Sequence, residues 1–94
     1  MNTAPTAQEQ FDEGASATLT AIYLTPDVVA QRDKVLALLA PQAGERALDI
    51  GCGPGLTTEA LARAVGAAGS VKGIDIAPPM LAIARRRCES LPNV

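Results

Sequence analysis

The 94-residue chain is long enough for one small domain and no more. Hydrophobic residues make up 48% of it, but eighteen are alanine and two are aromatic, so large core side chains are scarce. A net charge of −2 gives no basic footprint for nucleic acid, and the lack of histidine removes a histidine base and histidine metal ligands, so neither a nucleic-acid partner nor a metal site is expected.

Two cysteines, Cys52 and Cys88, stand far apart in a pattern that is neither a disulfide framework nor a zinc spacing. They are expected to be reduced thiols in a cytoplasmic protein. The first residues, M-N-T-A-P-T-A-Q-E-Q, lack the basic start and apolar run of a secretory leader. No stretch approaches the ~18 apolar residues of a membrane span.

In chain order, residues 1–8 are expected to be a disordered tail, and residues 9–45 an N-terminal helical segment. Phe11, Leu19, Ile22 and Tyr23 are the large apolar groups of its first part, with a helix expected near Ala15 to Leu24 and Phe11 as a packing anchor. Thr25-Pro26-Asp27 is a helix start: threonine can cap, proline suits the first helical position, and aspartate suits the positive dipole end. That helix is expected to run to about Ala40, with Val28, Val35, Leu36 and Leu39 inward, and to stop at Pro41.

Residues 46–94 alternate strand and helix. Arg46 to Ile50 reads as a short strand buried in a sheet. A helix over Thr57 to Val65 would turn Leu61, Ala64 and Val65 inward, and Gly66 and Gly69 would stop it. Ser70 to Ile76 reads as a second strand. Ala77-Pro78-Pro79 opens a last helix to about Ser90, with Leu81, Ala84, Cys88 and Leu91 on its buried side. Strand–helix–strand at this spacing implies a right-handed parallel unit, and parallel strands belong to sheets covered on both faces.

Three features carry chemistry. The loop G-C-G-P-G, residues 51–55, has glycine at alternate positions between a strand and a helix, where helix N–H groups can meet a polar ligand. Asp75 follows 24 residues after Gly51, where an acid in a strand–helix–strand unit can accept hydrogen bonds from ribose hydroxyls. Asp49 is an acid in an apolar strand, which is costly unless it is paired or faces a ligand. Arg85, Arg86 and Arg87 read as a solvated face suited to a helix C-terminus.

Together, L-D-I-G-C-G-P-G and V-K-G-I-D-I-A-P-P-M-L-A-I-A resemble the class I S-adenosylmethionine-dependent methyltransferases, specifically over residues 46–84. The looser likeness is to the branch acting on small, quinone-like or lipid-like molecules. The resemblance implies an α/β fold: a Rossmann-like parallel sheet, first half only, made of two N-terminal helices and then strand–helix–strand–helix. It implies S-adenosyl-L-methionine as cofactor and a small-molecule methyl acceptor. By the same resemblance, Gly51, Cys52, Gly53 and Gly55 would form the cofactor loop. Asp49 would orient the cofactor's amino group, Asp75 would hold the ribose, Ile76 and Met80 would pack near the adenine, and the helical segment of residues 9–45 would form part of a lid, with Tyr23 as a cap. No residue of this segment is expected to be catalytic.

The competing reading is an NAD(P)-binding Rossmann protein, whose fingerprint is G-x-G-x-x-G/A. Here the glycines fall at 51, 53 and 55, position 56 is leucine, and Asp49 sits in the strand. The methyltransferase resemblance also implies a larger sheet than 94 residues can build, since L-P-N-V falls where a third strand would begin. The alternative expectation is thus a truncated, non-catalytic fragment that binds cofactor or self-associates through open sheet edges.

Overall fold

The computed structural model describes residues 13–94. The expected tail and Phe11 lie outside the described residues. Six elements follow one another: α1 (Glu13–Tyr23), α2 (Pro26–Leu39), β1 (Arg46–Ile50), α3 (Leu56–Val65), β2 (Ser70–Ile74) and α4 (Pro78–Arg87). The two strands pair in parallel, with Arg46 opposite Ser70 and Ile50 opposite Ile74.

The start of α2 differs in detail from the expected cap. Pro26 occupies the first turn and Asp27 follows it, but the Thr25 hydroxyl does not cap α2. It donates backward to the Ile22 carbonyl at 2.7 Å, closing the end of α1. At the other end, Ala40 adopts a left-handed conformation (φ 48°) and its N–H donates to Leu36 O. A following proline disfavours the right-handed helical region for Ala40, so the helix ends there.

The core is small and lies on one face of the sheet. Leu61, Ala62 and Val65 of α3 meet Val71 of β2, with Leu36, Ala47 and Leu91 against them. Ala62 takes the inward place expected of Ala64, which is exposed. Met80, Ala84 and Cys88 of the last segment are buried, and Leu81 and Leu91 are half-buried.

Several expectations are corrected here. Strand β2 ends at Ile74 instead of Ile76, because the Asp75 side chain bonds the backbone of the following turn. Helix α4 ends at Arg87 instead of Ser90, since the chain turns at Cys88. Val35 and Leu39 are exposed, not inward, because α2 has only its Leu36 side against the core.

The largest correction concerns β1. Alternate side chains point to opposite faces of a strand, and only the Ala47 and Asp49 side is covered. Leu48 (56% exposed) and Ile50 (74%) lie on the open face, next to Ile74 of β2. Among the described residues the sheet is therefore covered on one face only. Its outer β2 edge begins to be occupied by the chain end, where Val71 N–H donates to Asn93 O at 2.8 Å. The Asn93 side chain in turn donates to the Ala62 and Gly66 carbonyls, at 2.8 and 3.0 Å, and so stops α3.

Candidate functional site

The site lies at the carboxyl ends of the two strands, where open parallel sheets bind ligands. Gly51, Gly53 and Gly55 all have positive φ, of 71°, 54° and 85°. The three do different work. A Cβ at Gly51 would meet nothing within 4 Å, so this backbone faces open space. A Cβ at Gly53 would stand 3.4 Å from the Tyr23 ring, which lies over the loop. A Cβ at Gly55 would fall 2.9 Å from the Ala84 backbone, so this glycine lets α3 and α4 approach.

Two acids frame the loop. Asp75 Oδ2 accepts a hydrogen bond from Gly53 N–H at 2.9 Å, and Oδ1 accepts one from Ala77 N–H at 2.8 Å. A carboxylate has about four lone-pair sites, so each oxygen keeps capacity for a ligand hydroxyl. Asp49 Oδ2 accepts from the hydroxyl of Thr58, a buried α3 residue, at 2.7 Å. Sequence reasoning passed over Thr58. Its signal was available: a polar residue on the buried face of α3, nine positions after a strand acid.

Arg87, expected on a solvated face, instead bonds the loop. Its Nε donates to the Pro54 carbonyl at 3.0 Å, which ties the end of α4 to the loop, while Arg85 and Arg86 are exposed.

Cys52 is buried under the loop, with its side chain close to Gly73 and Thr58. Burial pushes its thiol above the ordinary range, the Asp49 and Asp75 carboxylates add to that, and the Thr58 hydrogen bond opposes it. Burial likewise raises Cys88, with Glu59 adding and Arg87 and Arg63 opposing. Both are free thiols held in the protonated form, which is unreactive. Among the described residues no group of three or more histidine, cysteine, aspartate or glutamate side chains could hold a metal ion.

A cleft of about 290 Å³ opens between α2 and the loop. It is lined by Asp49 of β1, Gly51 and Cys52 of the loop, Leu56 and Thr57 at the start of α3, and Tyr23 and Arg32 of the preceding helices. The other expected site residues stand apart. Gly53 of the loop is bonded to Asp75, Ile76 is 71% exposed, and Met80 of α4 is 2% exposed. A larger hollow of about 690 Å³ lies at the opposite ends of the strands, around Arg46, Ser70, Lys72 and Asn93. It contains none of the loop residues.

The fold and this loop define the class. A family model described as "Methyltransferase domain" matches residues 47–94, just over half of the chain. The chain therefore belongs to the methyltransferase-domain family, that of the class I S-adenosylmethionine-dependent methyltransferases.

Curated relatives agree over the same region. The chain is 43% identical over 63 residues to a demethylmenaquinone methyltransferase of Bacillus licheniformis, covering 67% of this chain and 27% of that protein. It is 50% identical over 60 residues to an uncharacterized 37.1 kDa protein in a transposon of Streptomyces fradiae, covering 64% of this chain and 17% of that one. The chain thus spans about a quarter or less of the length of these relatives.

Solved structures share the Rossmann-like fold. A SAM-dependent methyltransferase from Aquifex aeolicus superposes with a TM-score of 0.70 at 28% identity, covering 89% of this chain and 45% of that one. Phosphoethanolamine N-methyltransferase 2 of Haemonchus contortus, solved with S-adenosyl-L-methionine, gives 0.70 at 27% identity, covering 86% and 20%. The cofactor of the family is S-adenosylmethionine. Among the described residues no helix is long and apolar enough to cross a membrane.

Proposed function

We propose that this chain is the cofactor-binding part of a methyltransferase that moves a methyl group from S-adenosylmethionine to a small, quinone-like acceptor in the cytoplasm. The observation that carries the reading is the paired arrangement of Asp49 and Asp75 around a backbone loop that is open at Gly51. The cofactor supplies a methyl group already activated on a sulfonium sulfur. This chain's residues supply binding and orientation, and orientation accounts for much of the rate in such transfers.

The roles divide by position. Asp75 holds the ribose hydroxyls with its remaining lone pairs, and its two backbone bonds fix the carboxylate in place. Gly51, Cys52 and Gly53 offer backbone to the ligand, and Ile76 lies open to its base. Gly55 and Met80 act through packing: one admits Ala84, and the other is a buried residue of α4. No side chain here is assigned a catalytic role. The demethylmenaquinone methyltransferases among the relatives support the acceptor class.

The experiment is a calorimetric titration with S-adenosylhomocysteine, with NAD as control. Saturable binding of the first alone is expected, weakened by Asp75→Ala. Binding of NAD alone, or of neither, contradicts the reading.

The open sheet face favours a second reading, association with another copy of the chain. Leu48, Ile50 and Ile74 form an exposed apolar strip on paired strands. Such a strip beside an open edge invites pairing. Sedimentation at increasing concentration tests it: a dimer is expected, and a monomer throughout contradicts it.

A further inference from the structure

Each loop residue after Gly51 is held by the segment that runs from β2 into α4. Gly51 is exposed, while residues 52–55 are buried. Cys52 N–H donates to the Ile74 carbonyl at 2.9 Å. Gly53 N–H donates to Asp75 at 2.9 Å. The Pro54 carbonyl accepts from Arg87 Nε at 3.0 Å. Gly55 lies so near α4 that a Cβ there would stand 2.9 Å from the Ala84 backbone. Two side chains take part in this grip. Asp75 already has a place in the site, whereas Arg87 lines neither the cleft nor the larger hollow.

The Arg87 bond is more than a helix C-terminus requires. Basic residues in the last turn suit the dipole without any specific partner, and Arg85 and Arg86 do so from exposed positions. Arg87 is half-buried, and its bond reaches back 33 residues. It follows Ala84 by three positions, which puts both on one side of α4. They meet successive loop residues, Pro54 and Gly55. Pro54 is fully buried, so its carbonyl is costly to leave without a donor. A charged donor makes the stronger bond.

Pro54 also sits between two glycines of positive φ, Gly53 and Gly55. Glycine leaves its neighbouring peptide planes the widest choice of orientation. The Arg87 bond fixes the plane between Pro54 and Gly55. Without it, a ligand that meets the loop backbone must order that plane as it binds, and the ordering subtracts from affinity.

We infer that Arg87 is a positioning residue for S-adenosylmethionine: through the Pro54 carbonyl it presets the loop whose backbone meets the cofactor. It acts through the loop and does not contact the ligand. This rests on the S-adenosylmethionine reading above and adds to it a residue from the far end of α4.

The test titrates S-adenosylhomocysteine calorimetrically into the full chain and into Arg87→Met, Arg87→Lys and Arg86→Met, and compares amide NMR spectra of the free proteins. Arg87→Met keeps the length of the stem but has no donor. It is expected to weaken binding about tenfold and to move the Gly53 and Gly55 amide signals, while those of Val65 and Val71 in the core stay in place. Arg87→Lys keeps an N–H donor and should bind within about threefold of the wild-type chain. Arg86→Met, which removes a charge from the same turn, should bind as the wild type does. Unchanged affinity in Arg87→Met would overturn the inference, as would an equal loss in Arg86→Met or no recovery in Arg87→Lys. Core amides that move with the loop, or loss of the fold, would mark Arg87 as structural and overturn it too. Failure of the wild-type chain to bind would overturn the S-adenosylmethionine reading itself, and this inference with it.

Discussion

Asp75 and Gly53 are joined by a 2.9 Å hydrogen bond that runs from the loop N–H to the carboxylate at the end of β2. The same carboxylate holds Ala77 N–H at 2.8 Å, so one side chain sets both the loop and the entry to α4. Asp75→Asn keeps one carbonyl acceptor and turns an amide donor toward a backbone donor. A loss of about 1–2 kcal/mol is expected, which for a domain of this size lowers Tm by roughly 4–16 °C. A thermal melt with unchanged Tm would contradict the structural role.

Thr58 and Asp49 form the second such tie, at 2.7 Å. Thr58→Val keeps the shape but removes the donor, leaving a half-buried carboxylate oxygen without it. The expected cost is about 1–3 kcal/mol. Thr58→Ser restores the hydroxyl and should recover most of that. Chemical denaturation of the pair checks it, and equal stability of the valine and serine variants would count against the bond.

The glycines predict a contrast. Alanine at Gly51 meets no neighbour, so its cost is the left-handed conformation alone, roughly 1–2 kcal/mol. Alanine at Gly55 bears the same strain and drives a methyl to 2.9 Å from the Ala84 backbone. Overpacking adds about 1–3 kcal/mol. Gly55→Ala should therefore unfold at clearly lower denaturant than Gly51→Ala, and the reverse order would contradict the packing of α3 on α4.

The two cysteines predict a pH dependence. Burial raises both thiols in the folded chain. Their contribution is fully present below the unfolded-state value, about 8.5, and is lost as pH rises through the folded value. Stability should then fall on the alkaline side, less steeply in a Cys52→Ala/Cys88→Ala variant. Melts at neutral and alkaline pH measure this. Parallel slopes in the two proteins would contradict it.

Much of this was legible in the sequence, for physical reasons. Strand, glycine loop and helix announce themselves through local rules, and β1 came out over Arg46–Ile50 as read. Asp49 and Asp75 were found because acids at strand ends need partners. What stayed hidden depends on neighbours distant in the chain. Thr58, Arg87 and Arg32 act through bonds to residues nine or more positions away, which periodicity cannot reveal. The open side of the sheet was missed for a related reason. An apolar Leu48 or Ile50 looks the same in sequence whether or not a helix covers it.

The central claim is that the loop between β1 and α3, with Asp75, is where S-adenosylmethionine binds. The most direct measurement is residue-resolved NMR of the amide signals while S-adenosylhomocysteine is added. The account predicts saturable shifts gathered at residues 49–53 and 75–77, with Tyr23 and Arg32 following, and little change around Arg46, Ser70 and Asn93. Shifts centred on those last three residues, or none at saturating ligand, would contradict it.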